Sequence, residues 1–301
     1  MLMDDCLKEF LFECEIRKHT WKTIKGYRNG LEYLINYLKQ EHKLQQIEDV
    51  TTQHLKAFFM YQQKKRCKES YLNGLIKTYR AFYKYILNEN YVTNNPILKV
   101  NWMKEPKTII KTFTDNEVRR MLEEYPESDY LSIRNKAIIA MLFDTGIRNY
   151  ELCTLPEGNI KDNYIVIYGK GKKERQVGKS PYIAKILLKY ERIKKYYFEY
   201  KNINCDNYFL SRTGKPLTNE AVERIIRMAG QAAKVTDDIR CSPHTCRHYF
   251  AQSQLRNGID VYSLSRILGH ESIKITQRYL QGIQDEDVVL RSIKTSPLMN
   301  L

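Results

Sequence analysis

Apolar residues recur at helical spacing over much of this chain, and this periodicity restricts the fold more than any other feature. In residues 20–38, five apolar residues stand three or four positions apart: Ile24, Tyr27, Leu31, Leu34 and Leu38. Such spacing places side chains on one face of an amphipathic helix. Residues 50–65 and 70–90 have similar patterns. The first part of the chain is therefore predicted to be a bundle of about four helices.

A second helical region begins after a break in this pattern. The lysine-rich stretch at residues 103–110 has no helical periodicity and is predicted to be a linker. Thr114 and Glu117 then have the spacing of a capping box, which marks the start of a helix. We expect one domain at residues 1–102 and a second domain at residues 111–301.

Strand patterns are found at only two places. Residues 164–168 form an apolar run that turns at residues 169–173 and returns, which predicts a hairpin. A second short strand is predicted near Phe209. The expected fold class is mainly α: an N-terminal helical bundle and a mainly α second domain with a small antiparallel β-sheet.

The charge of the chain indicates a polyanionic partner. It has 50 Lys and Arg against 35 Asp and Glu, a formal net charge of +15. Residues 17–110 alone contain 18 basic and 7 acidic residues. An excess of this kind is typical of proteins that bind nucleic acid, although a solvated helical surface is the alternative.

Nothing in the sequence suggests a membrane or secreted protein. The longest clean apolar run, residues 137–143, is too short to cross a bilayer. The first residues are acidic where a signal peptide would be basic. The 7 cysteines include no CxxC pair, so they are expected to be reduced thiols. We expect a cytoplasmic protein.

Arg148 is a candidate phosphate ligand. It follows a buried helical segment that Gly146 is expected to end, so its backbone is fixed while its guanidinium reaches outward. A guanidinium binds phosphate through paired hydrogen bonds. Glu151 is placed to hold that guanidinium from behind. An ordinary surface ion pair on one helix is the alternative interpretation.

The predicted hairpin turn contains candidates for a general acid. They are Lys170, Lys172 and Lys173. A lysine donates protons near neutral pH only where burial or neighbouring cations lower its pKa. Spacing alone does not distinguish the three.

Two histidines and an arginine share one face of a predicted helix. His244, Arg247 and His248 stand at positions i, i+3 and i+4, after Pro243, which favours a first helical turn. A cation flanked by imidazoles can bind a phosphate and transfer protons near neutral pH. Phosphate recognition is therefore the preferred hypothesis.

Zinc binding is the alternative for this segment. Its potential ligands are Cys241, His244, Cys246 and His248. The glutamate of an HExxH motif is missing, Cys246 faces another side of the helix, and no second ligand pair has the usual spacing. We expect neither a metal nor a cofactor.

A histidine and a tyrosine complete the set. Gly269 is predicted to end a helix, His270 follows it, and Tyr279 lies on the next segment. One tyrosine among 23 would ordinarily be a packing residue. Taken with the residues above, however, Tyr279 gives a set that contains phosphate ligands, an acid, a base and a nucleophile.

Four segments in this order resemble the motifs of the tyrosine recombinase, or phage integrase, superfamily. They are TGIRNYEL, GKGKKER, HTCRHYFA and LGHESIKITQRYL. The resemblance extends through the chain and fits the two-domain, Xer-like type. It implies an N-terminal SAM-like core-binding domain and a C-terminal catalytic domain.

The resemblance also implies the residues that perform the reaction. Arg148 and Arg247 would bind the nonbridging oxygens of the scissile phosphate. Lys170 would be the general acid for the leaving 5′ oxygen, and Tyr279 would be the nucleophile.

Four further residues have implied roles. His244 would handle a proton and His270 would bind the phosphate. Glu151 would support the site, whereas His248 would be structural.

The implied activity is cleavage and rejoining of DNA through a 3′-phosphotyrosyl intermediate. The outcome would be integration or excision of a mobile element or, alternatively, Xer-type dimer resolution. A type IB topoisomerase-like relaxer and a non-catalytic DNA-binding regulator are the rival functions.

The resemblance implies that the partners are DNA and further copies of the chain. Double-stranded DNA with specific core sites would be bound by a homo-tetramer on two duplexes, formed from free monomers or dimers. Neighbouring copies would exchange the C-terminal segment, residues 285–301. Accessory DNA-binding proteins are further candidate partners.

Overall fold

The chain folds into two compact units, Met1–Lys107 and Thr108–Leu301. The structure is a computed structural model that describes residues 1–106, 110–169, 173–282, 289, 292–293 and 296–299. Each unit has an apolar core of its own. The division lies within the predicted linker at residues 103–110.

The first unit is helical. Its helices are α1 (Met3–Ile16), α2 (Trp21–His42), α3 (Thr52–Lys64) and α4 (Glu69–Asn88), with a 3₁₀ turn at Pro96–Lys99. The apolar stripe predicted on α2 packs into the core through Leu31, Leu34 and Leu38. The side chains of Thr20 and Thr51 cap α2 and α3. Each accepts a hydrogen bond from a backbone N–H of the first helical turn that has no partner within the helix. The predicted bundle of about four helices is confirmed.

The segment after α4 is bound to the first unit. The side chain of Asn73 accepts a hydrogen bond from the N–H of Met103 at 2.8 Å and donates one to its carbonyl at 3.0 Å. Arg80 stacks on Trp102, with the guanidinium carbon 4.4 Å from the ring centroid. The first residues of the predicted linker therefore pack with the N-terminal helices.

The second unit is mainly α-helical. Its elements are α5 (Asp115–Glu123), α6 (Tyr130–Thr145), α7 (Asn149–Cys153), β1 (Tyr164–Tyr168), β2 (Glu174–Gly178), α8 (Pro181–Tyr197), α9 (Asn219–Ala232), α10 (Pro243–Arg256), α11 (Val261–Leu268) and α12 (Ile273–Gln277). Short 3₁₀ turns lie at Glu157–Asn159, Arg278–Gly282 and Pro297–Met299. The apolar helix α6 is central, because it packs against α8, α9 and α10. The capping box predicted at Thr114 and Glu117 is formed.

The predicted hairpin is confirmed, but the second predicted strand is wrong. Strands β1 and β2 pair antiparallel, with Tyr164 opposite Gly178 and Tyr168 opposite Glu174. Near Phe209 only isolated bridges form. The residues there are buried consecutively rather than alternately, so this segment is a core loop.

The fold class is therefore confirmed as mainly α with a small antiparallel sheet. None of the helices in the described ranges has the length and apolar character needed to span a bilayer.

Candidate active site

Helix α10 presents a buried arginine. Ser242 caps the helix and Pro243 occupies its first turn, which fixes the backbone that carries Arg247. The side chain of Arg247 is 4% exposed and donates to the carbonyl oxygens of Gly146 at 2.7 Å and Leu268 at 2.6 Å. Burial and the nearby Arg148 lower its pKa to about 10, so it remains a cation at neutral pH.

Arg148 lies next to Arg247 at the start of α7. Its guanidinium donates to the carbonyl of Gly269 at 2.9 Å and to Glu151 at 2.9 Å. The two arginines thus bind the carbonyls of consecutive residues, Leu268 and Gly269, at the C-terminal end of α11. The partial negative charge of that helix end stabilises both guanidiniums. Arg148 is nevertheless 43% exposed, so it can still reach an anion.

Glu151 holds this arrangement together. Its carboxylate accepts from the backbone N–H of Arg148 at 2.8 Å as well as from the guanidinium. Burial alone would raise its pKa, but the hydrogen bonds and charges of Arg175 and Arg148 outweigh burial and lower the pKa below the ordinary value. The carboxylate is therefore ionised at neutral pH.

Arg175 is a site residue that spacing in the sequence did not single out. It lies on β2, donates to both oxygens of Glu151 at 2.9 and 2.6 Å, and donates to the carbonyl of Ile267 at 2.8 Å. Arg175 is the last residue of GKGKKER, a segment that resembles a family motif, and this position was the one sign in the sequence that it belongs to the site. Its partners lie far away in the chain, so only the folded structure shows what it binds.

His270 follows the left-handed C-cap of α11. Gly269 has φ +64°, a conformation that favours glycine, and it turns the chain so that His270 faces the arginines. The Nδ1 atom of His270 is 2.7 Å from the hydroxyl of Thr276. Burial, followed by the charges of Arg247 and Arg148, lowers its pKa to about 4, so the ring is neutral at pH 7.

The histidines of α10 form a pair. The rings of His244 and His248 meet edge to face with centroids 4.1 Å apart. His244 is exposed on the first turn, whereas His248 is half-buried. Partial desolvation and Arg247 lower the pKa of His244. The Nδ1 atom of His248 is 3.0 Å from the hydroxyl oxygen of Tyr279.

Tyr279 lies in the 3₁₀ turn after α12, with its ring buried and its oxygen in the polar site. The ring packs among Phe250, Leu264 and Leu268 and is 3% exposed. It also stacks nearly parallel to His270, at 6.4 Å and 17°. Burial raises the pKa of the phenol more than the nearby arginines lower it, so the hydroxyl is protonated at neutral pH.

The structure brings together six of the seven residues predicted for the site. They are Arg148, Glu151, His244, Arg247, His270 and Tyr279. Lys170 and its alternative Lys172 lie outside the described residues, so the general acid stays a prediction. Lys173 is described and exposed, and its carbonyl accepts from Gly169 at 2.8 Å.

The candidate zinc ligands are not grouped together in the described part of the chain. Within the described residues, no three His, Cys, Asp or Glu side chains are grouped as metal ligands. Cys246 is fully buried in the core, away from the exposed His244. The site is a cationic cluster in which Arg148 and Arg175 bind the carboxylate of Glu151 and Arg247 lies beside Arg148.

Comparison with known protein families identifies the family of this chain. Residues 111–285 match the phage integrase family, and residues 7–90 match the phage integrase N-terminal SAM-like domain. The chain belongs to the phage integrase family. The first match covers more than half of the chain and includes all of the candidate site residues from Arg148 to Tyr279. The family and enzyme class predicted from the sequence are confirmed.

Relatives of this integrase family member match it over nearly their full length. A tyrosine recombinase of Agathobacter rectalis is 31% identical over 86% of this chain and 85% of its own length. Tyrosine recombinase XerC of Bacillus licheniformis is 30% identical over 92% of this chain and 91% of its own.

Solved structures share the integrase fold. XerH recombinase in a post-cleavage complex with its difH substrate has a TM-score of 0.75 at 18% identity, covering 92% of this chain and 81% of that one. A lambda integrase tetramer bound to a Holliday junction has a TM-score of 0.71 at 17% identity, covering 93% and 77%.

Proposed function

We propose that this chain is a site-specific tyrosine recombinase that cleaves and rejoins double-stranded DNA through a 3′-phosphotyrosyl intermediate. The observation that supports it most strongly is that a protonated tyrosine, two fixed arginines and three histidines lie together in one site. These groups come from four separate helices and turns of the second unit.

Arg148 and Arg247 are proposed to bind the nonbridging oxygens of the scissile phosphate, with His270 beside them. A phosphodiester already has a negative charge, and more charge develops on its oxygens as a nucleophile attacks. Cations held in place before the reaction stabilise this transition state more than the ground state. The carbonyls of Gly146, Leu268 and Gly269 hold both guanidiniums in place.

Tyr279 is proposed to attack phosphorus. The attack breaks the phenol O–H bond, whose proton passes to a histidine of the site, and forms a bond between the phenol oxygen and phosphorus. The bond from phosphorus to the 5′ oxygen breaks, and that oxygen takes a proton from Lys170. His244 is exposed at the edge of the site, and we propose that it donates and accepts protons beside the phosphate. The covalent intermediate conserves the energy of the phosphodiester, so rejoining needs no nucleotide.

The partners are proposed to be double-stranded core sites and further copies of this chain. The basic first unit suits the phosphate backbone, and binding through phosphate contacts falls steeply with salt. The lambda integrase structure is described as a tetramer on a Holliday junction. By analogy, we propose a homo-tetramer on two duplexes, assisted where needed by accessory DNA-binding proteins.

Xer-type dimer resolution is the second candidate outcome, beside integration or excision of a mobile element. The observation that favours it is the alignment with proteins named XerC and XerD over 84–94% of their length. Both outcomes use the same chemistry, and they differ in the DNA sites that are joined.

The experiment is covalent capture. The protein is incubated with a library of duplexes that have a randomised centre and a nick near it, which traps the cleaved state. Adducts that survive denaturation are isolated and their DNA is sequenced. Pairs of recovered sites are then placed on plasmids and tested for exchange.

We expect adducts with a common sequence from the natural protein and none from Tyr279→Phe. Tyr200→Phe is the matched control, since Tyr200 is 94% exposed and lies outside the site. Recombinant plasmids would support strand exchange, whereas topoisomers alone would indicate a relaxing enzyme. Failure of the natural protein to form any adduct would refute the proposed function.

A further inference from the structure

One histidine nitrogen in the described structure is placed to accept the proton of the Tyr279 hydroxyl when the imidazole has its own proton on Nε2. The Nδ1 atom of His248 lies 3.0 Å from the phenol oxygen, which is hydrogen-bonding distance. Arg247 is the cation that lowers the pKa of this phenol most. A guanidinium has donors but no acceptor, so it stabilises a phenolate and cannot take up its proton.

The other two histidines of the site are engaged differently. The Nδ1 atom of His270 is occupied by the hydroxyl of Thr276 at 2.7 Å, and its ring lies parallel to Tyr279 rather than pointing a nitrogen at the oxygen. His244 contacts the ring of His248 and is exposed, and the hydrogen bond to the phenol oxygen is made by His248. The geometry therefore singles out His248.

The protonation state of His248 suits an acceptor. Burial lowers its pKa to about 4, with further lowering by His244 on the same helix, by Arg278 beside the tyrosine, and by Arg247 and His270. The ring is therefore neutral at pH 7 and has one free nitrogen lone pair. A bound phosphate would offset these positive charges and raise the basicity of the ring at the moment when the proton is transferred.

We propose that His248 is the catalytic proton acceptor for Tyr279. This rests on the proposed function, because it concerns the same reaction. As the phenol oxygen bonds to phosphorus, its O–H bond breaks and the proton moves to Nδ1 of His248. At the same time the bond from phosphorus to the 5′ oxygen breaks, and that oxygen takes its proton from the general acid. Rejoining returns both protons.

The test separates proton transfer from positioning of the ring. His248→Asn retains an oxygen acceptor close to the place of Nδ1 but has no useful basicity. Each protein is made with natural Tyr279 and with 3,5-difluorotyrosine at position 279, whose ring fluorines make the phenol far more acidic. The probe is the nicked duplex recovered most often in covalent capture, and the rate of phosphotyrosine formation is measured in a single turnover.

With natural Tyr279 we expect His248→Asn to slow cleavage by about 100-fold or more, the usual contribution of a general base. With difluorotyrosine the deficit should shrink to a few-fold at mildly alkaline pH, because an ionised phenol needs no acceptor. An equal deficit with both phenols would show that His248 only positions the ring and would overturn the proposal. Cleavage by His248→Asn at the rate of the natural protein would also overturn the proposal.

Two controls keep the outcome interpretable. Duplex binding and thermal unfolding are measured for each protein, and His248→Gln replaces the asparagine variant if that one does not fold. His19→Asn, on the exposed surface of the first unit, should leave all rates unchanged. If the natural protein forms no adduct at all, the proposed function itself fails, which is a different result from a deficit confined to His248.

Discussion

Glu151 and Arg175 form a two-bond ion pair in the interior of the second unit, with O–N distances of 2.9 and 2.6 Å. Their side chains are only 4% and 10% exposed. The same carboxylate binds the backbone and guanidinium of Arg148, and Arg175 also binds the carbonyl of Ile267. One acidic side chain thereby connects β2, the start of α7 and the end of α11, the elements around the proposed phosphate site.

Arg175→Gln should destabilise the second unit by about 3–5 kcal/mol, because it leaves a buried carboxylate with one charged partner fewer. Glu151→Gln should have a similar effect. The double variant should be clearly less destabilised than the sum of the two single variants, since no unpaired charge remains. Urea unfolding of all four proteins measures this coupling, and additive effects would contradict the ion pair.

Arg148→Ala and Arg247→Ala should each slow covalent cleavage by two orders of magnitude or more. A fixed donor at a developing oxyanion contributes roughly 3 kcal/mol to lowering the barrier. Duplex binding should change little, because the chain has 50 Lys and Arg in total and two of them are a small part of its attraction for phosphates. Single-turnover cleavage and a binding titration on the same duplex test this. Equal losses in both measurements would show that the arginines serve binding alone.

Gly146→Ala should disturb Arg247 as well as the fold. Gly146 ends α6 with φ +61°, and an added Cβ would lie 2.3 Å from a ring carbon of Phe250. Its carbonyl also accepts a hydrogen bond from Arg247. We expect a loss of about 1–3 kcal/mol in unfolding free energy, as for other overpacked sites, with slower cleavage.

Gly158→Ala is the matched control for this change. Nothing lies within 4 Å of a Cβ at position 158, and its φ is not positive. Unfolding free energy and cleavage should both stay near the natural values. If both alanine variants behaved alike, the close contact at Gly146 would be refuted.

Local features of this chain were predictable from the sequence. The threonine caps of α2, α3 and α5 each accept a hydrogen bond from a backbone N–H three residues later. The hairpin depends on an apolar run followed by a turn. The glycine stop at Gly146 needs only the αL conformation that follows the helix. In each case the physical cause lies within a few positions, where a pattern can record it.

Long-range contacts were not predictable in the same way. Arg175 meets Glu151 and Ile267 only because β2 passes beside α11, and no spacing records this. His248 was expected to be structural, yet its ring nitrogen reaches Tyr279, which lies 31 residues away. The strand predicted near Phe209 fails because burial there follows the packing of α8, not a sheet.

The stability of the second unit should fall as the pH drops from about 6.5 to about 4. In the unfolded chain His248 and His270 take up protons near pH 6.5. In the folded chain both have a pKa of about 4. The unfolded state therefore binds more protons within this window, and protonation favours unfolding. Above this pH window the two histidines do not reduce the unfolding free energy, and below it their reduction of the unfolding free energy is complete.

The double variant His248→Asn, His270→Asn isolates this effect from the carboxylates, which also lose stability in acid. Its unfolding free energy should depend less on pH across the window than that of the natural protein. His19→Asn, at an exposed position, should keep the natural dependence. Identical slopes for the natural protein and the double variant would contradict the lowered pKa values.

Identifying the residue that becomes joined to DNA tests the proposed chemistry without an assumption about the DNA site. The covalent adduct is digested with a protease and a nuclease, and the remaining peptide is sequenced by mass spectrometry. We expect a nucleotide attached through its 3′ phosphate to the oxygen of Tyr279. Attachment to any other residue, or a 5′ linkage, would contradict it.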